Sequence, residues 1–130
     1  MSISESKIMQ DDIVIRFDKT EVKSKEEVNG VIKIGYSGRF DSIIINSQIE
    51  NSKDIFTFTK IDDKKINHSY ARIPILKQDI KNGNEIKFAV ITEHIPDDVS
   101  NVKFRASIIQ EHKEVANHVT YVKVTPSNKT

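Results

Sequence analysis

The stretch from Glu85 to Val124 constrains the fold more than any other part of the chain. In EIKFAVITEHIPDDVSNVKFRASIIQEHKEVANHVTYVKV, apolar side chains alternate at Ile86, Phe88 and Val90, at Val102, Phe104, Ala106 and Ile108, and at Val122 and Val124. A period of two marks a strand with one buried face. The breaks carry Pro96, Asp97, Asp98 and Asn101, which favour turns. The stretch predicts three strands and two connections. Gln110 to Ala116 has no apolar face long enough for a helix and is expected as a loop or hairpin end.

Upstream segments repeat the pattern. Ile13, Ile15 and Phe17 alternate; so do Ile32, Ile34 and Tyr36, and Phe56 and Phe58. A long strand is expected over Phe40 to Ser52, with Ile43, Ile45 and Ile49 on one side and Ser42, Ile44, Asn46 and Gln48 on the other. Tyr70 to Lys77 is expected as a strand with Ile73 and Ile75 inward, and Pro74 points to an edge or a bulge. Asp18 to Glu27 is charged and suits a short edge strand. Asp62 to Ser69 is expected as a hydrophilic loop, and Gln78 to Asn84 as a turn around Asn82-Gly83. About eight strands with no helix predict an all-β fold, an immunoglobulin-like antiparallel sandwich of two sheets. Isoleucine, valine and phenylalanine supply the core, Leu76 being the only leucine.

At 130 residues the chain suits one domain. The domain is expected over residues 12–126, with disordered tails at 1–11 and 127–130. There is no cysteine, which excludes disulfides and thiolate metal sites. Twenty basic and 19 acidic residues leave a net charge of +1, so no global field draws the chain to nucleic acid or an anionic membrane. No apolar run is long enough for a membrane helix, and the polar N-terminus does not read as a secretory signal. The expected location is cytoplasmic.

Three segments resemble the N-terminal lobe of the arrestin clan, which includes the α-arrestins and a retromer subunit. Lys25 to Ile32, KEEVNGVI, is similar to the clan's early strand-turn-strand. Phe88 with Ile95-Pro96-Asp97-Asp98-Val99-Ser100 resembles its aromatic strand and the Ile-Pro turn that follows. Val102 to Ile108, VKFRASI, resembles the next strand. They occur in the clan's order within residues 12–125. The chain departs from the clan in having a single lobe, in carrying Val99 where a second proline is usual, and in lacking a clear match to the paired basic residues that sense phosphates, Arg16 and Lys19 being too loosely placed. The resemblance implies a scaffold or adaptor without catalytic activity. It also raises a homodimer, or a separate chain supplying a second lobe, as partners.

The residues themselves show no catalytic or cofactor motif. His112 and His118, with Glu111 or Glu114, and His94, with Asp97 and Asp98, lack compact metal-ligand spacing and are expected as solvated loop residues. Asp62-Asp63 and Glu26-Glu27 are adjacent acids, and neighbours on a strand face opposite sides. Ser47 and Ser107 show no recognisable histidine-acid pairing. Lysines at 19, 23, 25, 33, 60, 64 and 65 are interleaved with acids, which cancels most of an anion-binding field. The leading expectation is therefore protein binding through sheet edges or faces. The edges expected are 18–27 and the Pro74 strand, and the contact residues Ile44, Tyr70, Arg72 and Ile75. A second reading is a ligand-binding module for carbohydrate or an anionic polymer, with Tyr36, Tyr70 and Tyr121 as stacking platforms; the absence of tryptophan counts against it.

Overall fold

Alternating burial becomes ten strands in the computed structural model, which describes residues 11–81 and 83–126. In chain order they are β1 (Ile13–Phe17), β2 (Glu21–Lys23), β3 (Val28–Ile34), β4 (Ser42–Ile49), β5 (Phe56–Ile61), β6 (Lys64–His68), β7 (Arg72–Leu76), β8 (Glu85–Thr92), β9 (Ser100–Gln110) and β10 (Lys113–Thr125). A 3-10 turn at Lys77–Asp79 is the one helical piece among the described residues. Nearly all of the tails expected at 1–11 and 127–130 lies outside the described residues, as does Asn82.

One sheet, the A sheet, is ordered β1-β3-β8-β5-β6; the other, the B sheet, is ordered β2-β10-β9-β4-β7. Their inner faces meet in a core of isoleucine, valine and phenylalanine. The A sheet contributes Ile15, Ile32, Ile86, Phe56 and Phe58, and the B sheet contributes Val124, Phe104, Ile108, Ile43 and Ile45, all fully buried. Phe104 is the junction. Its ring lies 4.6 Å from that of Phe17 and 5.3 Å from that of Phe56. Phe88 packs edge-on to Phe17 and needs Gly30 opposite it, because a Cβ there would stand 2.3 Å from the ring. This is the close approach that only glycine permits. The two-sheet sandwich expected from the alternation is thus the observed fold.

Four local expectations need correction. Asp62 to Ser69 is not a loop: Asp62 and Asp63 turn the chain, with Asp62 at φ 52°, and β6 pairs with β5. Its sequence is polar because β6 is an edge strand with little buried face. The last strand starts at Lys113 rather than near Val122, while the Gln110–Ala116 segment is a hairpin end as expected, between β9 and β10. One pairing is parallel, β2 with β10, because the chain changes sheets between Phe17 and Glu21. Finally, Ile44 is not exposed. It is 8% accessible on the outer face of β4, in register with Pro74 on one side and Ser107 on the other.

Candidate interaction surfaces

The sandwich has four edge strands, β1 and β6 in the A sheet and β2 and β7 in the B sheet. The two edges expected from sequence, 18–27 and the Pro74 strand, are β2 and β7. An edge strand invites another chain only through backbone groups that point away from its own sheet. Some of those groups are occupied or missing here.

In the β4–β7 ladder, Ser47 N–H donates to the Ala71 carbonyl and Lys77 N–H to the Asp41 carbonyl. Alternation then turns Ile73 and Ile75 toward β4 and Arg72, Pro74 and Leu76 toward solvent. Pro74 has no N–H to offer. The Arg72 carbonyl lies 2.7 Å from His68 Nε2 on β6, so the histidine tautomer bearing its proton there caps it. At β2, the outward N–H of Lys23 donates to Glu26 Oε1 and its carbonyl accepts from Glu26 N–H. Glu26 is further held by Lys19 at 2.6 Å. The hydrogen bond from Lys19, helped by the one from the Lys23 backbone, holds the Glu26 carboxyl below its usual range, and Glu26 raises Lys19 in turn. At β1, the Ile15 N–H donates to Nδ1 of His118 on β10, at 3.1 Å. The fourth edge, β6, carries Lys64 and Lys65, both exposed, a common protection against edge pairing. Two histidines thus bridge the two open sides of the sandwich, each bonding one backbone group on an edge of the opposite sheet.

The outer face of the A sheet is open by contrast. A groove of about 540 Å³ crosses β1, β3 and β8 toward the β5–β6 turn. Registered rows build it: Lys33 beside Glu85; then Arg16, Val31 and Lys87. Asp62 extends the second row, its N–H donating to the Lys87 carbonyl at 2.6 Å and its carboxylate accepting the Lys87 N–H at 3.0 Å. Arg16, Lys33, Lys60 and Lys87 face Asp18, Asp62, Asp63 and Glu85 across it. Equal and interleaved charges give no net field for a polyanion. They suit a partner with charges of both signs.

The outer face of the B sheet carries a polar cluster. A β-bulge between Glu114 and Ala116 brings Glu114 onto the same face as Asn117, three residues on. The Glu114 carboxylate accepts from Ser107 at 2.7 Å, from Asn117 at 2.9 Å and from Arg105. Burial pushes its pKa up, but these hydrogen bonds outweigh burial and hold it below the ordinary value. Two smaller grooves lie elsewhere, one of about 430 Å³ along β2 and one of about 330 Å³ around Tyr121.

The residues expected to bind partners are not gathered into one site. Tyr70 is 70% exposed and stacks edge-on to His68, 5.3 Å away. Arg72 is exposed on β7, whereas Ile75 is buried and bonded toward β4. Of the three tyrosine platforms, Tyr70 and Tyr121 are exposed. Tyr36 is engaged with Phe40 and packs over Gly38, where a Cβ would meet its ring at 2.6 Å.

One constellation escaped the sequence reading. His94 Nδ1 lies 2.8 Å from Asp54, and Nε2 lies 3.3 Å from Ser100 Oγ. The order acid-histidine-serine is that of a hydrolytic triad. None of the three grooves touches these residues. The nearby backbone donors of His94, Val99 and Asn101 are taken by Thr92, Asp98 and Glu50, leaving none of these to stabilise an oxyanion. The arrangement ties the β4–β5 loop to the β8–β9 loop. Among the described residues, no group of three or more histidines and acids is placed to hold a metal, and no helix is long and apolar enough to cross a membrane.

No family model matches the sequence, and no curated protein matches it. Solved structures do share its shape. A mutant of CfaE, the CFA/I adhesin of enterotoxigenic E. coli, superposes with a TM-score of 0.61 at 12% identity, over 92% of this chain and 49% of that one. A conjugative transposon lipoprotein from Bacteroides eggerthii gives 0.51 at 9% identity, over 85% and 96%. AvmM, which catalyses macrocyclization in alchivemycin A biosynthesis, gives 0.52 at 9% identity, over 93% of each chain. The chain spans about half the length of the adhesin it matches. At such identities the likeness shows the β-sandwich fold alone, and that fold is shared by a binding protein and an enzyme.

Proposed function

We propose that the chain is a non-enzymatic interaction module that binds a protein partner across the outer face of the A sheet. The observation that carries this reading is the open groove between Arg16 and Asp62, beside edges whose outward backbone groups are in part capped. An adhesin of similar fold is consistent with a binding role. The fold by itself is no argument, since unrelated functions share it; the groove's interleaved charges suit a protein surface with charges of both signs. The arrestin resemblance supports an adaptor and adds a second copy, or a chain carrying a second lobe, as the partner to look for.

Site-specific photo-crosslinking tests the surface. A benzophenone side chain at Lys87 should give a defined protein adduct in native lysate, and the double change Arg16→Glu with Lys33→Glu should remove it. The same probe at Leu76, which reports the β7 edge, should give none. Adducts at Leu76 alone would return the binding role to the edge, and the absence of any adduct from either position would remove the protein-binding reading.

A further inference from the structure

The outer face of the B sheet carries a second feature, unrelated to the groove above. Tyr121 on β10 is 60% exposed, whereas most large apolar side chains among the described residues face inward. It is in register with Lys103 of β9, which is itself in register with Gln48 of β4. One row further along, Asn101 and Glu50 complete a groove of about 330 Å³. Glu50 Oε1 accepts from the Asn101 backbone N–H at 3.2 Å and from its side-chain amide at 3.3 Å. That pair is therefore held in place before any ligand arrives.

We infer that this groove is a subsite for a neutral sugar residue of a glycan. A pyranose has one face of C–H groups and a rim of hydroxyls that both donate and accept. An exposed phenol ring offers the first a flat apolar surface, and the phenolic hydroxyl adds a polar contact at its edge. Around the ring stand an amide at Gln48, an amide at Asn101, a carboxylate at Glu50 and an ammonium at Lys103, which together supply donors and acceptors for the second. The centre of this groove is one aromatic ring among polar groups. A polyanion is not favoured, since Glu50 lies in the groove beside Lys103. The site is shallow and solvent-open, so binding in the millimolar range is expected for a single unit, with gains from longer chains only if neighbouring units also touch the sheet.

Amide chemical-shift mapping on the labelled protein tests this, with cellotriose, maltotriose and triacetylchitotriose as neutral probes and a heparin-derived hexasaccharide as the anionic one. At least one neutral probe should shift Gln48, Asn101, Lys103 and Tyr121 in a saturable way. Tyr121→Ala should weaken that binding by about tenfold or more, equivalent to about 1.4 kcal/mol, and Tyr121→Phe should retain most of it. The spectra themselves show whether each variant folds, and Tyr70→Ala should leave binding unchanged. The inference is overturned if no neutral probe shifts these residues at 10 mM (a concentration on the order of ten times a millimolar dissociation constant), if only heparin does, or if Tyr121→Ala binds as tightly as the wild type. None of these outcomes bears on the A-sheet groove.

Discussion

At the scale of single residues, Glu114 illustrates how a surface carboxylate becomes part of the structure. Ser107, Arg105 and Asn117 converge on it, and its pKa is held below the ordinary glutamate value of 4.5. The folded protein therefore binds that proton less readily than the unfolded chain does. The linked stability is fully present above the unfolded value and is lost as pH falls through the lower folded one. Replacing it by glutamine removes the titration and keeps the shape. Urea midpoints of wild type and Glu114→Gln should therefore differ most at neutral pH and converge below about pH 4.5, with the wild type the more stable partner at pH 7. A difference that stays constant across the acid range would show that the hydrogen bonds do not favour the charged form.

At the scale of elements, the β9–β10 hairpin turns at Glu111 and His112, both with positive φ, 50° and 68°. A two-residue turn of this hand matches the twist of the strands, but asparagine and glycine are the residues that adopt it without strain. Glutamate and histidine there carry a cost of about 1 kcal/mol or more each. The Glu111 N–H bonds the Asp41 carboxylate at 2.7 Å, which helps hold the turn. Replacing Glu111 with asparagine and His112 with glycine keeps that N–H and should stabilise the domain by about 1 kcal/mol, once glycine's extra freedom in the unfolded chain is subtracted. A thermal midpoint equal to or below that of the wild type would contradict this. The same hairpin shows what a sequence conceals. The core strands are legible because burial on one face leaves a period of two at Phe104, Ala106 and Ile108. The first half of β10, residues 113–119, pairs with β9 yet buries little, so Lys113, Glu114 and Val115 carry no alternation to read. β6 was hidden for the same reason.

At the scale of the whole molecule, function depends on which surfaces the two sheets leave open, and that was only partly legible. Charge in 18–27 and Pro74 identified two edges correctly, because edges are marked by what they must avoid. The caps were not legible: the contacts of His68 with Arg72 and of His118 with Ile15 join strands of opposite sheets, and no spacing along the chain encodes them. Nor was the A-sheet groove, whose polar positions are visible in each strand but meet only through the register of β1, β3 and β8. If the edges are closed by design, opening one should have a consequence that folding stability does not report. Pro74 is the place to do it, because its ring nitrogen points away from β4 and no ladder bond is lost on replacing it. Pro74→Val should restore an outward N–H on β7 while preserving the fold. The variant should then associate as concentration rises from about 10 µM to 1 mM, the range in which weak protein contacts of 4–7 kcal/mol become populated, and light scattering would show it. Ile75→Pro is the informative contrast: its nitrogen faces β4, so it should unfold the domain rather than open an edge. A Pro74→Val protein that scatters like the wild type across that range would mean that His68 on the Arg72 carbonyl keeps the β7 edge closed without the proline.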